Sequence, residues 1–88
     1  MFEKYERLPK TVEAVQFTDA NKDRVFNALT GQYSHGFEDG APVIKVTTIH
    51  GEIAIVRLGD WIIKEPKLGC YYPIKDEIFR DGYAQRLK

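Results

Sequence analysis

This sequence has a single cysteine, no net charge and no long apolar run. One of the 88 residues is cysteine, Cys70, so the chain cannot form an internal disulfide. Thirteen basic residues balance thirteen acidic ones, which removes the usual electrostatic signature of proteins that bind nucleic acids or anionic membranes. No apolar run approaches the roughly 18 residues of a membrane span, and the first residues lack the basic, apolar and small segments of a signal peptide. We therefore expect a soluble, cytoplasmic protein without a nucleic-acid or membrane partner.

The residues that are present indicate one small folded domain, spanning residues 1–88. Hydrophobic residues make up 43% of the chain and aromatic residues 12%, which excludes a disordered protein. The local patterns mix strand and helix signals. They predict an α+β fold with a small antiparallel sheet of about four to six strands, one helix in the N-terminal half and a short C-terminal helical turn.

The N-terminal half carries the signals of a central strand, a helix and a loop. Residues 11–17 are rich in β-branched and aromatic side chains on both faces, which is typical of a central strand. Residues 20–29 place their apolar side chains in one helical stripe. Residues 31–42 contain three glycines and a proline, and this composition predicts a long irregular loop.

Two alternating runs, residues 43–49 and 52–58, predict a β-hairpin with a two-residue turn at His50 and Gly51. In that register Val46 faces Ile55, and both faces of the hairpin are apolar. One short helix covers one face. The turn at residues 74–79 and the N-terminal side chains of Phe2, Tyr5 and Leu8 are expected to cover part of the other, and any exposed remainder predicts a homodimer.

The C-terminal half reads as short strands joined by turns. Gly59 and Asp60 form a predicted turn, in which the aspartate bonds nearby amides. Residues 61–64 and 70–72 are predicted strands, and Pro73 is expected to interrupt the second. The tail is expected to return as an edge strand.

No constellation of side chains in the sequence supports catalysis or metal binding. His35 lies near Ser34, Glu38 and Asp39, which suggests either a metal or acid–base site or, more simply, a solvated loop. Cys70 has no local histidine, so we interpret it as a small buried hydrophobe. We expect no catalytic residues, no metal and no cofactor.

The aromatic residues offer two interpretations. Trp61, Tyr71 and Tyr72 either form a stacking platform for a base or plug the ends of a small sheet, and zero net charge favours the second. The residues with a side chain suited to binding a partner or ligand are Tyr33, His35, Phe37, Trp61, Tyr71 and Tyr72.

Two parts of the chain carry a set of short motifs: Gly-Asp-Trp-Ile-Ile-Lys at 59–64, Gly69, Tyr-Pro-Ile-Lys at 72–75, Ile-Phe at 78–79 and Val-Glu-Ala-Val-Gln-Phe at 12–17. With these motifs the chain resembles a family of small phage and prophage proteins with a Pro-Gly-Asp-Tyr-type motif. The resemblance covers roughly residues 11–17 and 43–83, whereas residues 31–41 match nothing in the family. Leu58 stands where the family has proline. The resemblance implies a phage origin and carries no catalytic residues.

These observations leave two main hypotheses. The first is a small, non-enzymatic, phage-encoded protein that binds a host or phage protein in the host cytoplasm, for example as an inhibitor of a host defence. The second is a small-ligand or nucleotide-binding module with an aromatic platform.

Overall fold

Two antiparallel sheets and two helices make up the described part of the chain; the computed structural model describes residues 2–7, 10–31, 33–67, 69–82 and 84–85. The elements are, in order, β1 (Glu3–Arg7), β2 (Lys10–Gln16), α1 (Lys22–Ala28), β3 (Tyr33–Glu38), β4 (Ala41–Thr47), β5 (Ile53–Arg57), β6 (Trp61–Lys64), β7 (Tyr71–Ile74), α2 (Asp76–Gly82) and β8 (Ala84–Gln85). The larger sheet has the order β7-β6-β2-β1-β8 and the smaller β3-β4-β5. The predicted α+β class is confirmed, with the strands divided between two sheets. No helix within the described residues has the length and apolar character to cross a bilayer.

Strand β2 lies inside the larger sheet, as its two-sided apolar pattern predicts. It pairs with β1 on one side and with β6 on the other. Val15 pairs with Ile62, whereas the next pair, Ala14 with Ile63, points to the opposite face. All four side chains are buried, so both faces of the sheet are covered here.

The main core lies between the two sheets and is closed by α1. Helix α1 contributes Val25, Leu29 follows directly at its C-terminal cap, and Phe26 packs against both, which confirms the predicted apolar stripe. The helix is shorter than predicted because Asn21 and Thr18 each accept a hydrogen bond from the other's backbone N–H in the turn before it. The core consists of Val15, Phe17, Val25, Leu29, Ile44, Val46, Val56, Ile62 and Tyr71.

Helix α2 covers the other face of the larger sheet, where its Phe79 packs against Ala14 and Ile63. The expectation that residues 74–79 and the N-terminal side chains cover part of the hairpin's second face is therefore wrong for residues 74–79 and for Tyr5. Tyr5 packs with this second cluster and Phe2 with the main core, while Leu8 lies outside the described residues. The sequence pattern identifies these apolar side chains, but it does not show which sheet they pack against.

The predicted loop at residues 31–42 is also wrong, since most of it forms β3. Strand β3 pairs with β4 from Tyr33 opposite Val46 to Glu38 opposite Ala41. Asp39 and Gly40 connect the strands with φ values of 51° and 79°. Two successive positive φ values are the conformation of a type I′ turn, for which Asp-Gly is a favoured sequence. This dipeptide was the signal for the hairpin.

The β4–β5 hairpin forms as predicted, but its register is shifted by one residue. The connecting loop has three residues, Ile49 to Gly51: the N–H of Thr48 donates to the carbonyl of Glu52 at 2.9 Å, and Gly51 has a φ of 79°. A three-residue loop of this kind ends in a residue with left-handed backbone angles, here Gly51. The prediction of a two-residue turn left out the first loop residue, Ile49. Val46 consequently faces Ala54, not Ile55.

The C-terminal predictions are largely confirmed. Gly59 has a φ of 93°, and the Asp60 carboxylate accepts a hydrogen bond from the N–H of Arg57 at 3.0 Å, as expected for a structural turn. Strand β8 pairs with β1, so the tail does return at the sheet edge. Pro73 does not interrupt β7, because β7 is an edge strand, where proline is tolerated.

Candidate binding surface on strand β3

Three of the predicted binding residues, Tyr33, His35 and Phe37, lie side by side on β3. They alternate with Ser34 and Gly36, so their side chains share one face of the smaller sheet. The exposed fraction is 76% for Phe37 and 36% for Tyr33. We call this row of three side chains the β3 strip. It is an exposed aromatic surface on a regular strand, where the sequence predicted a loop.

Helix α1 anchors one end of the β3 strip. The imidazole of His35 stacks on the ring of Phe26, with centroids 4.4 Å apart and planes at 23°. The hydroxyl of Tyr33 donates a hydrogen bond to the carbonyl of Phe26 at 3.1 Å. Phe26 in turn packs against Phe17 in the core, at 5.9 Å between centroids. These contacts order Tyr33 and His35 before any partner arrives, and Phe37 projects beyond them.

Strand β3 is also an edge of its sheet, since β4 is the single described strand that pairs with it. Natural edge strands are usually protected by shortness, proline or a charge. Among the other edges, β8 has two residues, β7 contains Pro73, and β5 has five residues and ends at the charged Arg57. Strand β3 is six residues long, and its one charged side chain, Glu38, is held by Arg57 at 2.8 Å. The β3 edge is thus open to pairing with another strand.

The opposite face of the smaller sheet is partly apolar. The Glu38–Arg57 ion pair joins β3 to β5 and so crosses β4 on this face, beside the buried Val43. Ile53 is 69% exposed on the same face because of the shifted register. A shallow depression of about 260 Å³ lies here, lined by Tyr33, Ser34, Lys45, Thr47 and Ile53.

The structure does not bring Trp61, Tyr71 and Tyr72 together as a platform. Tyr71 and Tyr72 are neighbours on β7 and therefore point to opposite faces of the larger sheet. Tyr71 is fully buried, and its hydroxyl accepts a hydrogen bond from the backbone N–H of Thr30 at 2.8 Å. The Trp61 ring stacks on Phe79, with centroids 3.8 Å apart and planes at 6°. One face of the tryptophan is thus occupied by the chain itself.

Asp76 is a structural residue that the sequence patterns did not single out. Its Oδ1 accepts hydrogen bonds from Trp61 Nε1 at 2.8 Å and Gln16 Nε2 at 3.2 Å, and its Oδ2 accepts one from Arg80 Nε at 2.9 Å. The hydrogen bond from Trp61, followed by that from Arg80, lowers the pKa of Asp76 below its ordinary value. These bonds fasten the start of α2 to β2 and β6.

The acid–base grouping considered around His35 does not form. His35 points to the face covered by α1, whereas Ser34 and Glu38 point to the opposite face. Asp39 is exposed in the turn. Across the described ranges, no group of three or more histidine, cysteine, aspartate or glutamate side chains is arranged to hold a metal ion.

A separate cleft of about 420 Å³ opens where the end of α1, the β4–β5 loop and the segment before β7 meet. One polar atom beside it, Thr48 Oγ1, is buried and has no hydrogen-bond partner among the residues that the structure describes. Lys67 supplies a positive charge and Cys70 a buried thiol. The lining residues are Thr30, Gly31, Thr47, Thr48, Ile49, Gly51, Lys67, Gly69 and Cys70.

Comparison of the chain with protein-family models, curated proteins and solved structures found no match. Any functional argument therefore depends on the surfaces described above.

Proposed function

We propose that the protein is a small, non-enzymatic, phage-encoded binding protein that acts by occupying a surface of a host or phage protein. The β3 strip is its contact surface. The observation that carries the proposal is the 76% exposure of Phe37 beside two ordered aromatic side chains, Tyr33 and His35. Inhibition of a host defence protein is the form of action that fits such a binder.

The physical properties of the β3 strip support this proposal. Aromatic side chains bury a large area on binding while losing few rotamers, and they are enriched among the residues that dominate interface energies. Because Tyr33 and His35 are already held against α1, a partner does not have to order them. The β3 strip also lies within residues 31–41, the part of the sequence outside the phage-family resemblance. A binding specificity particular to this chain would be expected there.

Affinity capture from host lysate, followed by binding measurements with the purified partner, tests the proposal. The variants are Phe37→Ala and, as a matched control, Ile78→Ala on α2. Ile78 is 58% exposed and lies away from the β3 strip, so neither substitution should change the melting temperature much. We expect Phe37→Ala to lower the affinity for the partner by about 30-fold, as for a central interface residue. Ile78→Ala should leave the affinity unchanged. Equal affinity of all three proteins would contradict the proposal.

A second candidate function, a small-ligand-binding module, is favoured by the cleft and not by an aromatic platform. Its volume falls within the roughly 300–1,000 Å³ range of small-molecule sites, and the unpartnered Thr48 Oγ1 is a polar group that a ligand would satisfy. A thermal-shift screen with mononucleotides and cyclic nucleotides tests it, each protein being compared with its own unliganded melting temperature. A shift that disappears in Thr48→Val would favour this function, whereas no shift with any nucleotide would count against it.

A further inference from the structure

The geometry of the β3–β4 hairpin indicates which backbone groups the open edge of β3 presents. Glu38 and Ala41 flank the two-residue loop of Asp39 and Gly40. In a hairpin of this type the flanking residues exchange backbone hydrogen bonds, and such pairs alternate along the ladder. The backbone groups of residues 34, 36 and 38 therefore face β4. Those of residues 33, 35 and 37 face outwards.

Gly36 lies in the middle of this edge, and nothing within the described chain requires a glycine at this position. Its φ is not left-handed, and an added Cβ would meet nothing within 4 Å. Glycine weakens the interior of a strand and often marks a close approach of another backbone. On the outer side of β3 no described strand makes that approach. The position of Gly36 thus points to the backbone of a second molecule.

We propose that two copies of the protein join through antiparallel pairing of their β3 strands, with a two-fold axis at Gly36. Outward-facing residues of one copy must meet outward-facing residues of the other, so the axis has to pass through a residue. At Gly36 the two glycines form a non-hydrogen-bonded pair, with Cα atoms about 4.5 Å apart. This is the closest approach of residues in an antiparallel ladder, and it suits a residue without a side chain.

The remaining pairs of this register are complementary. His35 lies opposite Phe37 of the second copy, which makes two aromatic cross-strand pairs. Ser34 lies opposite Glu38 of the second copy, and a hydroxyl donor thus meets a carboxylate acceptor on the other face. No like charges face each other. An axis at His35 would instead set two imidazoles opposite each other and pair Gly36 with Ser34.

The dimer places the two β3 strips side by side on one face, and each copy contributes half of the resulting surface. The use of this joint surface for binding a partner rests on the proposed function, whereas the pairing of the two β3 strands does not. A short strand pair buries less than the roughly 1,200 Å² of a standard interface. We therefore expect a dissociation constant in the micromolar range and a mass near twice 10.2 kDa only at higher concentration.

Disulfide trapping tests the axis. Under mild oxidation Gly36→Cys should give a covalent dimer, because its Cα separation of about 4.5 Å lies within the range of a disulfide. Ser34→Cys is the control: the two residues are four positions apart along the ladder, roughly 13 Å, and should not link. The native Cys70 is buried at 8% exposure and should not contribute. Linking by His35→Cys without linking by Gly36→Cys would overturn the axis.

Charged substitutions at Ser34 test the pairing of the two β3 strands. They leave the β3 strip unaltered, because Ser34 points to the opposite face of the sheet. Sedimentation should show that Ser34→Glu, which faces Glu38 of the second copy, weakens the dimer about tenfold relative to Ser34→Gln. Ser34→Lys should retain or strengthen it. Equal dimerisation of all three variants, or a monomer at hundreds of micromolar wild-type protein, would overturn the proposal. Because the Ser34→Glu monomer keeps Phe37, its capture of a partner reports on the proposed function separately.

Discussion

Replacing Val56 by alanine tests the packing register of the β4–β5 hairpin. Val56 is fully buried and lies opposite Ile44, another core residue. The substitution removes two methyl groups, each contributing about 0.8 kcal/mol of transfer free energy, and leaves a cavity in the core between the sheets. We therefore expect the free energy of unfolding to fall by about 2–3 kcal/mol.

Ile53→Ala is the matched control on the same strand. Its side chain is 69% exposed on the outer face, so its loss should cost less than about 1 kcal/mol. Urea unfolding followed by the fluorescence of Trp61, the single tryptophan of the chain, measures both changes. For a domain of this size, the melting temperature of Val56→Ala should fall by about 10–20 °C.

The relative size of the two losses of unfolding free energy decides between the two registers of the hairpin. A larger loss for Ile53→Ala than for Val56→Ala would refute the observed pairing. It would favour the two-residue turn, in which Val46 faces Ile55 and the isoleucines of β5 point into the core.

The remaining predictions concern a carboxylate, a close backbone approach and a turn. The lowered pKa of Asp76 means that its charged form contributes stability fully above the unfolded value near 3.8, and that this contribution is lost as the pH falls through the lower folded value. Asp76→Asn should therefore be less stable than wild type at pH 7 in urea unfolding, and the difference should shrink near pH 3; a constant difference would contradict the pKa shift. Gly31→Ala should lower the melting temperature far more than Gly40→Ala, because both residues have left-handed φ values but only a Cβ at residue 31 would collide with the backbone of Gly69. Equal losses in the two variants would show that this close approach is absent. Asp60→Ala should lower the melting temperature by removing the acceptor of a backbone amide, while partner binding per folded molecule stays unchanged; lost binding at an unchanged melting temperature would place Asp60 in the binding surface.

Several parts of the fold follow from local sequence because short-range chemistry decides them. The apolar residues on both faces of residues 11–17 require a strand buried on both sides, and β2 lies inside the larger sheet. The stripe of Val25, Phe26 and Leu29 requires a helix against a sheet, and α1 closes the core. Glycine and aspartate at positions 59 and 60 specify a turn, since one tolerates a positive φ and the other bonds nearby amides.

The candidate site was only partly predictable. The aromatic side chains of Tyr33, His35 and Phe37 were recognisable as binding candidates, but their glycine-rich surroundings indicated a loop. The Asp39–Gly40 turn and pairing with β4 convert them into one row, and α1 then orders two of the three. Composition cannot show this alignment, because it depends on which strand the segment meets.

By itself, the sequence determined the α+β class, the buried strand, the helix and the sharp turns, because each depends on neighbouring residues. Only the tertiary structure decided the β4–β5 register, where one more residue in the loop exchanges the core face for the exposed face. It likewise decided that Gln16, Trp61 and Asp76, far apart in the chain, meet at one carboxylate. Finally, it decided that β3 is an open edge, since an edge is defined by the absence of a neighbouring strand, and the neighbours are set by how the whole chain is arranged in space.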